Sequence, residues 1–179
     1  MNYEIGLDLL KQLLPDMYSS EFNVFEGRLR ENLGREKLYG GNEVTRSERA
    51  QIIDQLNKLA VDNMGVSFVD ICNIKNSNKQ DIQIVLSALE SQKISDEDIK
   101  AIVAAVHEKQ KQLIKNKQVF SNDQKVVSLL EDPKLGLKNK LKLSLPIIPT
   151  LLSYEGEIEL GGAINLKDVW VALIRKIKG

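Results

Sequence analysis

Apolar residues recur at intervals of three and four along most of this chain, the period of a helix with one buried face. Leu7, Leu9, Leu10, Leu13 and Leu14 open the pattern. Pro15 closes it, because proline lacks the amide donor that the next helical turn needs. Phe22, Phe25, Leu29 and Leu33 take up the same spacing, with Arg28, Arg30, Glu31 and Arg35 on the other faces. Gly40-Gly41 interrupts. Thr45-Arg46-Ser47-Glu48 then has the form of a capping box, in which a hydroxyl accepts from a free amide and a glutamate reaches back. Ile52, Ile53, Leu56, Leu59 and Ala60 follow on one face, and Gly65 stands where a helix C-cap belongs. Ser67 and Asp70 repeat the capping pattern around Phe68, Val69 and Ile71. The spacing predicts helix through 22–64.

Residues 73–79 are polar and turn-rich, and read as a linker or long loop between two regions. Ile82, Val85, Leu86 and Leu89 resume the helical period. Ser95 before Asp96, Glu97 and Asp98 marks another helix start, since acids in a first turn complement the helix dipole. Ile99, Ile102, Val103, Val106 and Leu113 continue it, with Lys109, Lys111 and Lys115 toward its end. Ser121 and Gln124 open a shorter helix that runs through Leu130, before Pro133. Asn165 and Asp168 cap a last one, lined by Val169, Trp170, Leu173, Ile174 and Ile177 and ending on Arg175, Lys176 and Lys178.

Between these helices the period changes. In 138–147 apolar residues occupy positions 141, 143, 145 and 147, with Lys140, Lys142 and Ser144 between them. That alternation predicts a strand, and with Glu155, Glu157 and Glu159 alternating further on it predicts a small hairpin over about 140–160. Pro146 and Pro149 rule out a regular central strand, and a bent helical segment competes. The expected architecture is mainly α: a helical, bundle-like N-terminal module over 1–73, then a helical region over 74–179 with a small irregular β element and a C-terminal amphipathic helix.

Composition adjusts this picture. At 179 residues with 42% apolar and 28% charged side chains the chain can bury a core. Only 5% are aromatic, so that core rests on Leu, Ile and Val. Lys plus Arg equals Asp plus Glu, 25 each. A nucleic-acid binder usually carries a basic excess, so no nucleic-acid partner is expected. The first ten residues contain acids and no basic n-region, and no long apolar run spans a bilayer. With the single cysteine Cys72, the cytoplasm is the expected compartment.

Candidate chemistry is sparse. His107 is the only histidine, too few for a zinc site with one cysteine. Cys72 and His107 could form a nucleophile and base, but Asp70-Ile71-Cys72-Asn73 resembles no nucleophile loop, and a small core thiol is the better account. Gly40-Gly41 and Gly161-Gly162 lack the lysine and hydroxyl of a phosphate loop and read as turns. Glu155, Glu157 and Glu159 would line one strand face, most simply a solvated edge. No enzyme, metal or cofactor is expected.

Two surfaces are candidates for binding. Arg28, Arg30, Arg35, Arg46 and Arg49 interleave with Glu26, Glu31, Glu36, Glu43 and Glu48, which suits either plain solubility or charge-complementary docking. Arg28, Tyr39, Arg46 and Arg49 are the candidate interface residues. Lys138, Lys140 and Lys142, beside the apolar run 145–152, could instead hold an anionic membrane surface, or be a solvated face next to a core strand.

The segments LLKQLLP (9–15), FEGRLRENL (25–33), YGGNEVTRSERAQIIDQLNKLA (39–60) and GVSFVDIC (65–72) together resemble the helical effector-associated modules of bacterial, often cyanobacterial, conflict and signalling proteins. The resemblance covers about a third of the chain and carries no catalytic residue. It implies an adaptor that recruits a partner by like-with-like contact, the partner being an effector protease, a TIR protein or a STAND-type NTPase, with self-association possible. The expectation is therefore a non-enzymatic protein-interaction adaptor, with a peripheral membrane-associated protein as the alternative.

Overall fold

The computed structural model describes residues 2–15, 18–115, 123–155 and 165–179. Ten helices account for most of them, with no strand among the described residues. The chain divides into two units, Met1–Asn73 and Ile74–Gly179.

The first unit holds α1 (Tyr3–Leu13), α2 (Ser19–Tyr39), α3 (Glu43–Met64) and α4 (Phe68–Asn73). Its core gathers Leu7, Leu10, Phe22, Leu29, Ile52, Leu56, Met64 and Phe68, each almost wholly removed from water. Tyr3 stacks on Phe68 with ring centroids 6.4 Å apart. Gly6 lets α1 lie directly against α4: a Cβ there would come within 2.3 Å of the Cys72 Sγ. Cys72 is buried, as a core thiol at the end of α4. Gly65 caps α3 in the left-handed conformation at φ 71°, where glycine carries no Cβ penalty.

The start of α3 differs from the sequence reading. Its N-cap is Asn42, not Thr45. The Asn42 Oδ1 accepts from the Thr45 amide at 2.8 Å, and the Thr45 Oγ1 accepts from the Asn42 amide at 3.0 Å. Threonine thus fills the third position of the box. Asparagine is at least as good an N-cap, and starting there adds a turn of helix. Glu48 is released for another task, described below.

The second unit holds α5 (Asn76–Glu90), α6 (Asp96–Lys115), α7 (Asp123–Glu131), α8 (Leu137–Ser144), α9 (Ile148–Glu155) and α10 (Leu166–Lys178). The loop expected over 73–79 is shorter than its composition suggests, because α5 is already helical at Asn76. Ser95 accepts from the Asp98 amide at 3.2 Å and caps α6. Asn165 caps α10, accepting from the Asp168 amide at 3.2 Å. The position of Ser121 lies outside the described residues.

The expected strand over 140–147 is a correction: α8 and the turn into α9 occupy it. The apolar residues are buried on more than one side of a helical segment. Leu141, Leu145, Ile148 and Leu151 recur at helical spacing, and Leu143 and Ile147 are buried as well. A segment buried nearly all round shows no polar stripe, so its period is ambiguous. Pro149 sits in the first turn of α9, where its missing amide costs nothing. The other arm of the expected hairpin is 155–160: Glu155 is the last residue of α9 instead, and 156–160 lie outside the described residues, as does Gly161-Gly162.

α10 is tied down at its basic end. Lys176 reaches Asp98 on α6 at 2.5 Å, and Lys178 reaches Asp81 on α5 at 3.1 Å. The bond from Lys176, then that from Ser95, holds the Asp98 carboxyl below its usual value of 3.8. A carboxyl depressed by folding stabilises above its unfolded pKa, and that stabilisation is lost as pH falls through the folded one. Asp98→Asn should therefore melt earlier than wild type at neutral pH, with the gap closing as pH drops below 3.8. Thermal melts across that range measure it, and a gap independent of pH contradicts the assignment.

Candidate functional site

The α2–α3 pair has two unlike halves. Its inner half packs on the core through Phe22, Leu29, Ile52, Leu56 and Leu59. In its outer half no residue from 33 to 51 is buried. This outer half is an arm of two helices with no apolar core between them.

Polar contacts hold the arm together. Asn32, fully buried, lies at its base. Its amide nitrogen donates to the Thr45 carbonyl at 2.9 Å and to the Glu48 carboxylate at 3.0 Å. Its oxygen accepts from the Arg49 Nε at 3.0 Å. Arg35 pairs closely with Glu48, and Arg49 with Glu36 at 2.5 Å. The Asn32 bond first, and then Arg35, lower the Glu48 pKa against a burial penalty that opposes them. A central amide satisfied on both atoms fixes the register of two helices, because a slip of one turn would break every bond at once.

The arm ends in an apolar tip. Leu38 is 74%, Tyr39 84% and Val44 74% exposed, and the turn between them runs through Gly40 at φ 78°. Large apolar side chains this open cost free energy in water, and a cluster of them marks a contact surface more often than a single one does. A shallow groove of about 600 Å³ runs alongside, lined by Arg35, Glu43, Val44, Ser47, Glu48 and Gln51.

The sequence-predicted interface residues fall in different places. Tyr39 is at the tip, and Arg46 is exposed on the first turns of α3. Arg28 is exposed farther down α2 and donates to Gln55 at 3.1 Å. Arg49 is spent inside the seam, with its side chain only 16% exposed. Leu38 and Val44 were missed. Their signal was present: both stand off the apolar stripes of their helices, Leu38 on the side of α2 away from Phe22 and Leu29.

The lysine group is split. In a strand Lys138, Lys140 and Lys142 would share a face. In α8, at about 100° per residue, Lys140 lies nearly opposite the other two. Lys138 is exposed and the others half-buried. The apolar run beside them, Leu145 to Ile148 with Leu151, is packed inside the second unit. No helix among the described residues is long and apolar enough to cross a membrane.

His107 Nε2 lies 3.0 Å from the Glu131 carboxylate, which also receives Lys111 at 2.6 Å. Cys72 lies in the other unit. Among the described residues no group of three or more His, Cys, Asp or Glu could hold a metal. Two further depressions, one with Glu21, Lys58 and Asp62 and one with Gln80, Ser87 and Lys93, are open and contain no histidine or cysteine. No family model, no curated protein and no solved structure matches the chain.

Proposed function

We propose that this chain is a non-enzymatic adaptor whose α2–α3 arm docks onto another protein. One observation carries the reading: the arm presents Leu38, Tyr39 and Val44 to water while burying nothing of its own from 33 to 51. The outer half of a helical pair that buries nothing itself, yet is held in register by a buried amide and ion pairs, has the form of a presented surface. Arg46 beside the tip adds charge to steer a partner, in keeping with the role of rim charges in association rates.

The resemblance over residues 9–72 supports a bacterial signalling or defence setting, with an effector protease, a TIR protein or a STAND-type NTPase as the partner and the cytoplasm as the compartment. Affinity capture from the native host tests this. Wild type should retain a specific protein that a Tyr39→Ser, Arg46→Glu variant loses, while circular dichroism shows both equally helical. Retention of the same proteins by both would reject the arm as the docking surface.

A further inference from the structure

The outer face of α2 carries a second pattern that its fold does not use. At about 100° per residue, Val24, Gly27, Glu31, Gly34 and Leu38 fall within an arc of about 80°, opposite Phe22 and Leu29. Their spacing alternates three and four, the a and d positions of a heptad. Val24 is 59% and Leu38 74% exposed. Gly27 and Gly34 lie inside the helix, yet a Cβ at either would meet nothing within 4 Å. Glycine is among the worst residues for a helix interior, and neither a positive φ nor close packing within the chain calls for it here. Two such glycines between two exposed apolar residues leave a shallow trough.

The flanks of the trough are cationic. Arg28 and Arg35 border it on one side, Arg30 and Lys37 on the other. Arg30 is bound to Glu26 and Asp8, and Arg35 to Glu48. Arg28 donates to the uncharged Gln55, and Lys37 makes no ion pair among the described residues. Arg28 feels Glu48 only through charge, with no hydrogen bond to it, so one cation on each side keeps its donors off any carboxylate, and both occupy the flanking positions that select helix partners by charge.

We propose that this face receives one amphipathic helix of a partner protein, its apolar side chains over Gly27 and Gly34 and acidic residues along both of its flanks. The proposal rests on the reading of the arm as a protein-docking element and gives the chemistry of what docks. A second copy of α2 is the poorer occupant, since its flanks would set the same four cations against each other. Glu31 lies 4.0 Å from Arg35 but stays 71% exposed at the centre of the trough, so a basic or polar residue opposite it fixes register.

The test uses the full chain and two synthetic helical peptides. Both carry leucine at the stripe positions and one central lysine; one has glutamate on its flanks, the other lysine. Fluorescence anisotropy at low salt should show the glutamate peptide binding roughly tenfold or more tightly than the lysine peptide. An Arg28→Glu, Lys37→Glu variant should reverse the preference. Gly34→Arg should weaken both peptides by roughly tenfold, since it fills the trough. Its fold is checked by melting, and Gly34→Ala, which should melt higher than wild type, supplies a helix-stabilised control. Equal affinities, no saturable binding of either peptide, or indifference to these variants would overturn the proposal. So would a wild-type dimer in sedimentation that Gly34→Arg dissociates, which would make a second copy the occupant. If the peptides fail while the Tyr39→Ser, Arg46→Glu variant still loses its partner, the docking role of the arm stands and only the helix-receiving face falls.

Discussion

Gly6→Ala is expected to destabilise the N-terminal unit by about 2 kcal/mol, the usual range for overpacking a filled core. The new Cβ would overlap the Cys72 Sγ at 2.3 Å and press on the Phe68 ring at 3.3 Å. Relief by a rotamer change is limited. Cysteine has one torsion, and a helix disfavours one of its three staggered positions. The Cys72 Cα, at 3.4 Å, is backbone and yields only with α4 as a whole. The gain in helix propensity from glycine to alanine, about 1 kcal/mol, offsets part of the cost. Cys72→Ala should be mildly destabilising alone and should recover about 1 kcal/mol when combined with Gly6→Ala, because it removes the atom in the way. Urea unfolding of the four proteins closes this cycle. Additive losses would mean that α1 and α4 do not meet through Gly6.

Asn32→Ala should cost about 2 kcal/mol, and the loss should be local. Three hydrogen bonds go at once, two of them to charged side chains, Glu48 and Arg49, and charged partners make the stronger bonds. The arm has no buried side chain to fall back on. Backbone amides of 33–51 should therefore exchange with solvent markedly faster in the variant, while those of 52–64, anchored by Ile52, Leu56 and Met64, keep their protection. Hydrogen exchange read by mass spectrometry separates the two segments. Unchanged exchange in 33–51 would show that the polar seam does not hold the arm.

The helices of this chain were legible where one face is apolar and a cap residue stands at the end. Ser95 and Asn165 cap the helices whose starts they mark, and Gly65 ends α3 as its place after the apolar stripe suggests. Thr45 misled because Asn42, three residues earlier, offers an equal cap, and two polar residues in that register can share a box. The segment 140–147 misled for a different reason. Alternation implies a strand only when the intervening residues face water, and here Ser144 is buried, its hydroxyl donating back to the Lys140 carbonyl at 2.9 Å.

The candidate surface was legible only in part. Mixed charge along residues 28–49 pointed to α2 and α3, but pattern cannot say which charges are spent on each other. Arg49 is consumed by Asn32 and Glu36, whereas Arg46 remains exposed within one turn of the tip. Leu38 and Val44 stand off the apolar stripes of their helices, but single apolar residues are common on surfaces, so that signal is weak taken one residue at a time. The turn at Gly40-Gly41 returns Val44 to the end of the pair that carries Leu38 and Tyr39. The trough on α2 had a signal in Gly27 and Gly34, seven residues apart within a helical stretch, since glycine there needs a reason.

The most direct test of the docking role is a photo-reactive amino acid in place of Tyr39, expressed in the native host, beside a control at the exposed Asp54 on the inner half of α3. Irradiation should give one discrete adduct from position 39 and none of that size from position 54. The absence of an adduct at 39, or the same products from both positions, would contradict the arm's role as a specific docking surface.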